Sequence, residues 1–275
     1  MNPNAAQPTR ISAMLQNLWR YRQLIALMTK REVAQRYRGS FMGLAWSFVI
    51  PIILLGVYTF IFSVVFKARW GVGGEDKTVF AMVLFVGLIV HGFLAEVLNR
   101  APTIILGNVN YVKKVVFPLE ILPLVPIGTA LFHCAISVFV LLLASLIING
   151  SVHWTALLIP VVFLPFLVLI MGISWIIASV GVFLRDVGQV MGVVTMVMLF
   201  LAPVFYPVSA LPEAYRPWIL ANPLSFIIEQ ARAVLIWGEM PNWLGLGAYS
   251  LVAIAVAWAG FAWFQKTRKG FADVL

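Results

Sequence analysis

The sequence predicts an all-α membrane protein with six transmembrane helices, an N-terminal amphipathic interface helix, a short cytoplasmic helix and a re-entrant pair of helices. The chain is 62% hydrophobic and 11% charged, with a mean hydropathy of +0.99, whereas soluble domains carry about a quarter charged residues. Several apolar runs exceed the ~20 residues that a spanning helix needs. The basic residues cluster at the ends of those runs, where the positive-inside bias places them. The net charge of +9 therefore indicates orientation in a membrane, not nucleic-acid binding.

Residues 1–40 form a predicted cytoplasmic N-terminal region. Its first dozen residues are polar and lack the pattern of a cleaved signal peptide. A helix is expected from Ile11 to Arg38, with seven Lys/Arg counted from Arg10 and apolar residues that include Leu15 and Trp19. A long basic amphipathic helix lies in the membrane interface instead of spanning it. Its basic residues act either as an orientation signal alone or as a functional cationic collar before the first span.

The first two spans carry the next candidate features. The first span is expected over residues 41–66, and Tyr58, Phe62 and Phe66 share one face because they recur at i, i+4 and i+8. Such a stripe serves either packing or a ligand track. The second span begins near Val79 and ends with Glu96 and Arg100, whose i, i+4 spacing predicts a structural ion pair within the helix.

A short polar interruption separates the second and third spans. Two adjacent lysines mark residues 107–118 as cytoplasmic, and Val109, Val112 and Val116 follow a helical period. This pattern predicts a short amphipathic helix that ends at Pro118.

The second half of the chain completes the span count. Residues 121–184 contain no Asp, Glu, Lys or Arg and hold two spans, divided near residues 149–154. A fifth span is expected over 187–205 and a sixth over 244–264. The proline-rich stretch between them predicts two short helices, 213–221 and 225–237, that re-enter the membrane, which is tolerated where protein or water satisfies the backbone. The expected domains are residues 1–40, a six-span domain at 41–265 and a cytoplasmic tail at 266–275.

Several kinds of chemistry lack their motifs in this sequence. There is no GxxxxGK[ST], HExxH, CxxC or GxSxG. His133 lies within a span without a second ligand nearby, so no metal site is expected. Ionisable residues deep in the spans are scarce, which argues against an ion-coupled carrier. No acidic cluster supports a glycosyltransferase. The residues alone therefore predict a six-span membrane protein without an ATPase site of its own, and they do not name a substrate.

The sequence resembles the permease subunit of type-2 ABC exporters, in the branch that exports O-antigen, teichoic-acid and capsular polysaccharides, and it is most similar to the O-antigen permeases. Four stretches carry the resemblance: RYRGSFMGLAWSFVIP (36–51), ILGNVNYVKKVVFPLEILP (105–123), LRDVGQV (184–190) and LAPVFYPVSALPEAYRPWILANPLSFIIEQAR (201–232). With the span count they cover nearly the whole chain, and their order and spacing are more specific than any one of them.

The resemblance implies partners and a location. The chain would form a homodimer in the bacterial inner membrane, with both termini cytoplasmic. It would assemble with two copies of an ABC ATP-binding subunit, which would bind ATP and Mg, while this chain would bind no cofactor. The substrate would be a polysaccharide linked to a polyprenyl diphosphate, in contact with membrane lipid and without nucleic acid.

The resemblance also implies four groups of site residues. The lipid diphosphate would enter beside three arginines: Arg31, Arg36 and Arg38. The ATP-binding subunit would dock on a coupling helix: Asn108, Val109, Asn110, Tyr111, Val112, Lys113, Lys114 and Val116. Aromatic residues would line the channel: Tyr58, Phe62, Phe66, Phe200, Phe205 and Tyr206. Four charged residues would lie in periplasmic gate helices: Glu213, Arg216, Glu229 and Arg232.

Two alternative functions stay open at this point. A drug or lipid exporter would have the same architecture but a shorter and greasier cavity. An ion-coupled carrier or a channel belongs to another class and would work without a partner ATPase.

Overall fold

The structure is a computed structural model that describes residues 9–65, 77–113 and 117–275, and every regular element in these ranges is a helix. The α-helices are α1 (Ile11–Arg20), α2 (Arg22–Tyr37), α3 (Trp46–Tyr58), α4 (Lys77–Arg100), α5 (Val109–Lys113), α6 (Leu124–Asn149), α7 (Ile159–Phe183), α8 (Val187–Phe200), α9 (Arg216–Leu220), α10 (Pro223–Arg232), α11 (Trp243–Thr267) and α12 (Phe271–Val274). Two π-helical segments, Thr59–Val65 and Ala233–Trp237, continue α3 and α10.

Five of these segments are long and apolar enough to cross a membrane: Gly43–Phe62, Val79–Thr103, Leu119–Asn149, Trp154–Phe183 and Trp243–Val274. The count rises to six when the bent pair Glu213–Leu220 and Pro223–Trp237 is taken as one span. The prediction of an all-α membrane protein is confirmed. The predicted fifth span is shorter than expected, because α8 ends at Phe200 after 14 residues, or about 21 Å at 1.5 Å per residue.

Local sequence explains where several helices begin and end. The α2 helix stops at Tyr37 because Arg38 is extended and Gly39 has a φ of +82°, a conformation that favours glycine. Gly150 ends α6 in the left-handed conformation, with a φ of +70°, as glycine commonly does after a helix. Asn222 caps α10 by accepting a hydrogen bond from the Leu224 backbone N–H at 2.9 Å.

The predicted N-terminal helix is present but broken at Tyr21. On α1, Ala13 and Met14 are buried, whereas Ile11, Leu15 and Trp19 are exposed. The indole N–H of Trp258 donates to the Thr9 carbonyl at 3.0 Å and so fastens the start of α1 to α11. This helix is therefore amphipathic, and it exposes apolar side chains on the face that does not contact the bundle.

The core centres on α4, which is the most deeply buried of the long helices, while α3 lies at the periphery. The α7 and α11 helices approach most closely where Gly172 faces Gly260, because a Cβ atom on either glycine would overlap the backbone of the other helix. Small residues at such crossings let helix backbones pack tightly in membranes.

The bent pair after α8 turns through 92° between its two helical segments, which match the predicted short helices closely. Thr155 donates to the Val234 carbonyl at 2.7 Å, which places this pair beside the start of α7. The side chain of Arg232 is fully buried and donates to the carbonyls of Val83, at 3.1 Å, and Val204, at 3.0 Å. Arg232 therefore ties α10 to α4 and to the turn that follows α8.

Candidate functional site

One polar cluster joins α2, α4 and α6. Arg36 Nη1 donates to Glu96 Oε1 at 2.5 Å. His133 Nδ1 lies 2.9 Å from Glu96 Oε2 and 3.1 Å from Glu96 Oε1, and His133 Nε2 lies 3.0 Å from the Tyr37 hydroxyl. These four residues, Arg36, Tyr37, Glu96 and His133, are called the Arg36 cluster below.

The donors of the Arg36 cluster follow from its chemistry. An ionised carboxylate only accepts hydrogen bonds, so His133 carries its proton on Nδ1 and donates it to Glu96. The other ring nitrogen of His133, Nε2, shares a hydrogen bond with the Tyr37 hydroxyl. Burial raises the pKa of the Tyr37 phenol, so this hydroxyl keeps its proton at neutral pH. The carboxylate of Glu96 thus has two independent donors, one on α2 and one on α6.

The predicted ion pair between Glu96 and Arg100 is wrong. Glu96 pairs with Arg36, and Arg100 pairs with Glu32. Both partners lie on α2, which packs mainly on α6, so each ion pair joins residues of two different helices in place of neighbours along one helix. The two ion pairs fix α2, the predicted interface helix, to the second span.

A cavity of about 690 Å³ lies between α2 and the segment before and within α5. Its charged and polar lining includes Arg31, Glu32, Arg36, Arg100, Asn108 and Tyr111. This space is called the basic cavity below. The basic cavity brings Arg31 and Arg36, two of the predicted lipid-diphosphate arginines, together with two predicted coupling residues. These residues, Asn108 and Tyr111, lie 72 to 80 positions further along the chain. The third arginine, Arg38, is exposed just beyond α2 and does not line it.

A second cavity of about 390 Å³ runs between α3, α4 and α6. Its lining includes Arg36, Glu96, His133 and Tyr58, and it is called the span groove below. Arg36 lines both the basic cavity and the span groove. Arg36 is therefore shared by the basic cavity and by a groove that also holds Tyr58, the first aromatic residue of the predicted stripe.

Three of the six predicted channel aromatics, Phe62, Phe200 and Phe205, come together in one stack. The Phe62 ring lies 5.4 Å from that of Phe80 and 6.5 Å from that of Phe205, and Phe205 lies 5.7 Å from Phe200, each pair in stacked orientation. The Tyr206 hydroxyl donates to the Phe200 carbonyl at 2.8 Å. Phe66 lies outside the described residues. Channel lining by these side chains stays a prediction, and Phe80 is a member of the stack that the sequence analysis missed.

The predicted coupling helix corresponds to a 3₁₀ turn, Leu106–Asn108, followed by α5. Lys114 and Val116 lie outside the described residues. Tyr111 stacks on Phe117 at 4.3 Å, and the apolar side chains of Val109, Tyr111 and Val112 are half-buried. Asn110 and Lys113 are exposed. Part of the apolar face thus packs within this chain, and the polar face is the side left open.

The four predicted gate residues form two ion pairs, one near the surface and one whose arginine is buried. Arg216 donates to the carbonyls of Leu211 and Ser209, at 2.9 and 3.2 Å, and lies 3.8 Å from Glu213, whose side chain is 92% exposed. Glu229 pairs with the buried Arg232 at 2.8 Å. These contacts hold the bent pair in shape, and a gating role stays a prediction.

Sequence reasoning noted Glu96 and His133 as ionisable residues in spans but did not join them, and it missed Glu32 and Tyr37. The available signal was the rarity of ionisable residues in spans, since such groups usually find partners. Within the described ranges, no group of three or more His, Cys, Asp or Glu side chains is arranged to hold a metal ion.

Fold and sites together define a multi-span helical membrane protein whose charged side chains bind the interface helix to the bundle. The sequence profile of the ABC-2 type transporter family matches residues 23–236, and the chain belongs to this family.

Three similar proteins extend over nearly the full chain. The chain is 28% identical over 262 residues to the O-antigen export system permease protein RfbA of Myxococcus xanthus, covering 94% of this chain and 98% of that protein. It is 26% identical over 264 residues to RfbA of Klebsiella pneumoniae, covering 95% and 98%. It is 24% identical over 250 residues to the polysialic acid transport protein KpsM of Escherichia coli, covering 87% and 91%.

Proposed function

We propose that this chain is the permease subunit of an ATP-driven exporter that moves a lipid-linked polysaccharide, such as O-antigen on a polyprenyl diphosphate, from the cytoplasm to the periplasm. Family membership and the near-complete match to permeases named for O-antigen export support this proposal. Two copies of the chain would form the pathway in the bacterial inner membrane, with both termini cytoplasmic. A separate ABC ATP-binding subunit would bind ATP and Mg and hydrolyse ATP, since this sequence has no P-loop.

The observation that carries the proposal is the position of Arg36, which lines both the basic cavity and the span groove. A polyprenyl diphosphate has an anionic head, a long apolar tail and an attached glycan, so it needs a cationic site that opens toward a membrane-spanning path. Arginine suits the head group because its planar guanidinium offers paired donors to phosphate oxygens. Arg31 lies in the same cavity, and Arg38 follows at the exposed end of α2.

The aromatic stack would continue the path beyond Tyr58. Flat aromatic faces cover sugar rings while making few fixed polar contacts, so a long polymer could slide along them. Phe200 is 56% exposed in the single chain, so its ring is free to face a pathway formed with a second copy.

The basic cavity would also connect transport to ATP hydrolysis. Asn110 and Lys113, on the open face of α5, would contact the ATP-binding subunit, whereas Asn108 and Tyr111 line the basic cavity. Movement of this short segment would therefore change the space in which the diphosphate is held.

The proposal is tested by export in cells that lack their own copy of the permease, complemented with single variants. Arg36→Gln is expected to lower surface O-antigen at least about tenfold, and Arg31→Gln less. Arg38→Gln is expected to have the smallest effect, because Arg38 lies outside the basic cavity. Surface polysaccharide is measured by gel electrophoresis of lipopolysaccharide, and assembly by co-purification with the ATP-binding subunit.

Export by the purified permease without an ATP-binding subunit would contradict the proposal and favour a carrier or a channel. Loss of co-purification in Arg36→Gln would instead assign Arg36 a structural role. Lys266→Gln, at an exposed lysine in the last turn of α11, serves as a matched control that removes one positive charge elsewhere.

A further inference from the structure

Arg36, on which the proposed function depends, already pairs with a carboxylate of this chain. The Arg36 guanidinium is held at 2.5 Å by the Glu96 carboxylate, although half of the Arg36 side chain is exposed. This contact uses Nη1 alone, so a phosphate can take the other guanidinium donors, but it can bind through Nη1 only if it takes the place of Glu96. The Arg36–Glu96 contact lies where both cavities meet, so this exchange would happen on the path of the substrate.

Glu96 keeps a hydrogen-bond donor when Arg36 moves away from it. Its side chain is 17% exposed, and a buried carboxylate without a donor is costly. His133, however, donates to the same carboxylate from the opposite helix and is held in turn by Tyr37. The exchange thus leaves Glu96 with a hydrogen-bond partner, while Arg36 is free to turn toward the basic cavity.

The other two arginines of the basic cavity differ in whether a carboxylate pairs with them. Arg100 is paired with Glu32. Arg31 lines the cavity, and within the part of the chain that the structure describes no carboxylate forms an ion pair with it. A ligand with two adjacent phosphates could therefore engage Arg31 with one phosphate and compete with Glu96 for Arg36 with the other.

This arrangement separates two kinds of anionic lipid. Anionic phospholipids are abundant at the cytoplasmic leaflet and collect at basic segments near the membrane. A phosphodiester head group carries a single negative charge, whereas a diphosphate between a lipid and a sugar carries one on each phosphorus. A phosphodiester gains little binding energy at Arg36, because it only replaces one carboxylate with one phosphate. A diphosphate gains an additional contact with Arg31.

We infer that Glu96 is a positioning residue that sets specificity through Arg36: it is an exchangeable counter-ion that keeps phosphodiester lipids off Arg36 and yields to a diphosphate. This inference rests on the proposed function. It assigns the Arg36 cluster the task of selecting the substrate's head group from the surrounding lipid.

The test uses the permease bound to its ATP-binding subunit in lipid nanodiscs. The probe is a fluorescently labelled short-chain polyprenyl diphospho-N-acetylglucosamine, and its apparent Kd is measured in phosphatidylcholine alone and in equal parts phosphatidylcholine and phosphatidylglycerol. For the wild type, phosphatidylglycerol is expected to raise the Kd by less than about threefold. For Glu96→Gln the Kd in phosphatidylcholine should fall, and phosphatidylglycerol should raise it about tenfold, equivalent to about 1.4 kcal/mol.

Three further variants separate this role from a structural one. Glu96→Asp keeps the charge and should restore resistance to phosphatidylglycerol, at least in part. Arg36→Gln combined with Glu96→Gln should show no more sensitivity to phosphatidylglycerol than Arg36→Gln alone, because Glu96 acts through Arg36. Glu239→Gln, at an exposed carboxylate outside both cavities, should match the wild type.

His133→Leu, which removes the donor to Glu96, gives a prediction of opposite sign, and this prediction applies even if Glu96→Gln does not fold. Without that donor, Glu96 depends on Arg36, so the Kd of the diphosphate should rise about three- to tenfold while phosphatidylglycerol has little effect. Equal sensitivity to phosphatidylglycerol in Glu96→Gln and wild type, or tighter diphosphate binding in His133→Leu, would overturn the inference. If the wild type does not bind the diphosphate probe at all, the proposed function itself fails.

Discussion

Two glutamates, Glu96 and Glu120, occupy similar positions in two polar clusters, and their surroundings differ in one decisive respect. Each carboxylate accepts a hydrogen bond from an arginine and another from a second side chain, His133 for Glu96 and Asn17 for Glu120. The Arg36 side chain is half-exposed, whereas Arg268 and Glu120 are 8% and 7% exposed. One arginine can therefore reach a ligand, and the other is enclosed.

The Glu120 network joins three parts of the chain. Asn17 of α1 donates to Glu120 Oε1 at 3.1 Å, and Arg268, just after α11, donates to Glu120 Oε2 at 3.0 Å. The indole N–H of Trp175 donates to the Glu120 carbonyl at 2.8 Å. Because Glu120 lies just after the predicted coupling helix, this network anchors that segment to the rest of the bundle.

An ion pair between helices does not by itself indicate either function or stability. A buried pair with all its hydrogen bonds made is costly to break, because one partner is left charged and enclosed. A pair whose arginine is half-exposed contributes less to stability, since water competes for the guanidinium. The exposure of the arginine decides between the two cases.

The largest expected effect is that of Glu120→Gln on stability. An amide has one acceptor and one donor, so one of its ends must face the donor group of Asn17 or of Arg268. We expect a loss of about 3 kcal/mol, seen as a lower Tm of the detergent-purified protein.

Glu96→Gln is the matched comparison, with an expected loss of no more than about 1 kcal/mol. Similar changes in Tm for the two variants would remove the distinction between a fixed and an exchangeable pair.

A moderate effect is expected from Gly128→Ala, which tests how firmly α2 must be seated for the Arg36 cluster to form. A Cβ atom at Gly128 would overlap the side chain of Thr29 on α2, and overpacking of this kind typically costs about 1–3 kcal/mol. The variant should lower both the Tm and polysaccharide export.

The double variant Gly128→Ala with Thr29→Ala should recover most of both losses, because it removes the overlapping atoms. Gly247→Ala is the control, since a Cβ atom there meets nothing within 4 Å. A double variant no better than Gly128→Ala would show that the overlap with Thr29 is not the cause.

The membrane architecture could be predicted from the sequence because it depends on local properties. Apolar run length, basic residues at run ends and prolines between residues 206 and 243 are visible along the chain. Helix ends at Tyr37 and Gly150 follow equally from single glycines.

The partners of the charged residues could not be predicted in the same way, because they depend on which helices become neighbours. Glu96 and Arg100 have the spacing of an intrahelical pair, yet α2 supplies a closer partner to each. Likewise Glu120 and Arg268 are 148 positions apart, and no local pattern connects them. The sequence was more informative about aromatic contacts, since the predicted stripe and the residues after α8 do meet at Phe62 and Phe205.

The smallest expected effect, that of Tyr37→Phe, tests the outer member of the exchangeable cluster. The change removes one hydrogen bond to His133 Nε2, worth about 0.5–1.5 kcal/mol, and leaves the donation from His133 to Glu96 intact. Stability should therefore fall only slightly, and export should continue. Because His133 is then held less firmly, the diphosphate Kd should shift in the same direction as in His133→Leu, but by less. Tyr215→Phe, at a largely exposed tyrosine, should change neither quantity. A loss of stability as large as that of Glu120→Gln would mean that the Arg36 cluster is a fixed structural unit as well, and that burial of the arginine does not distinguish the two.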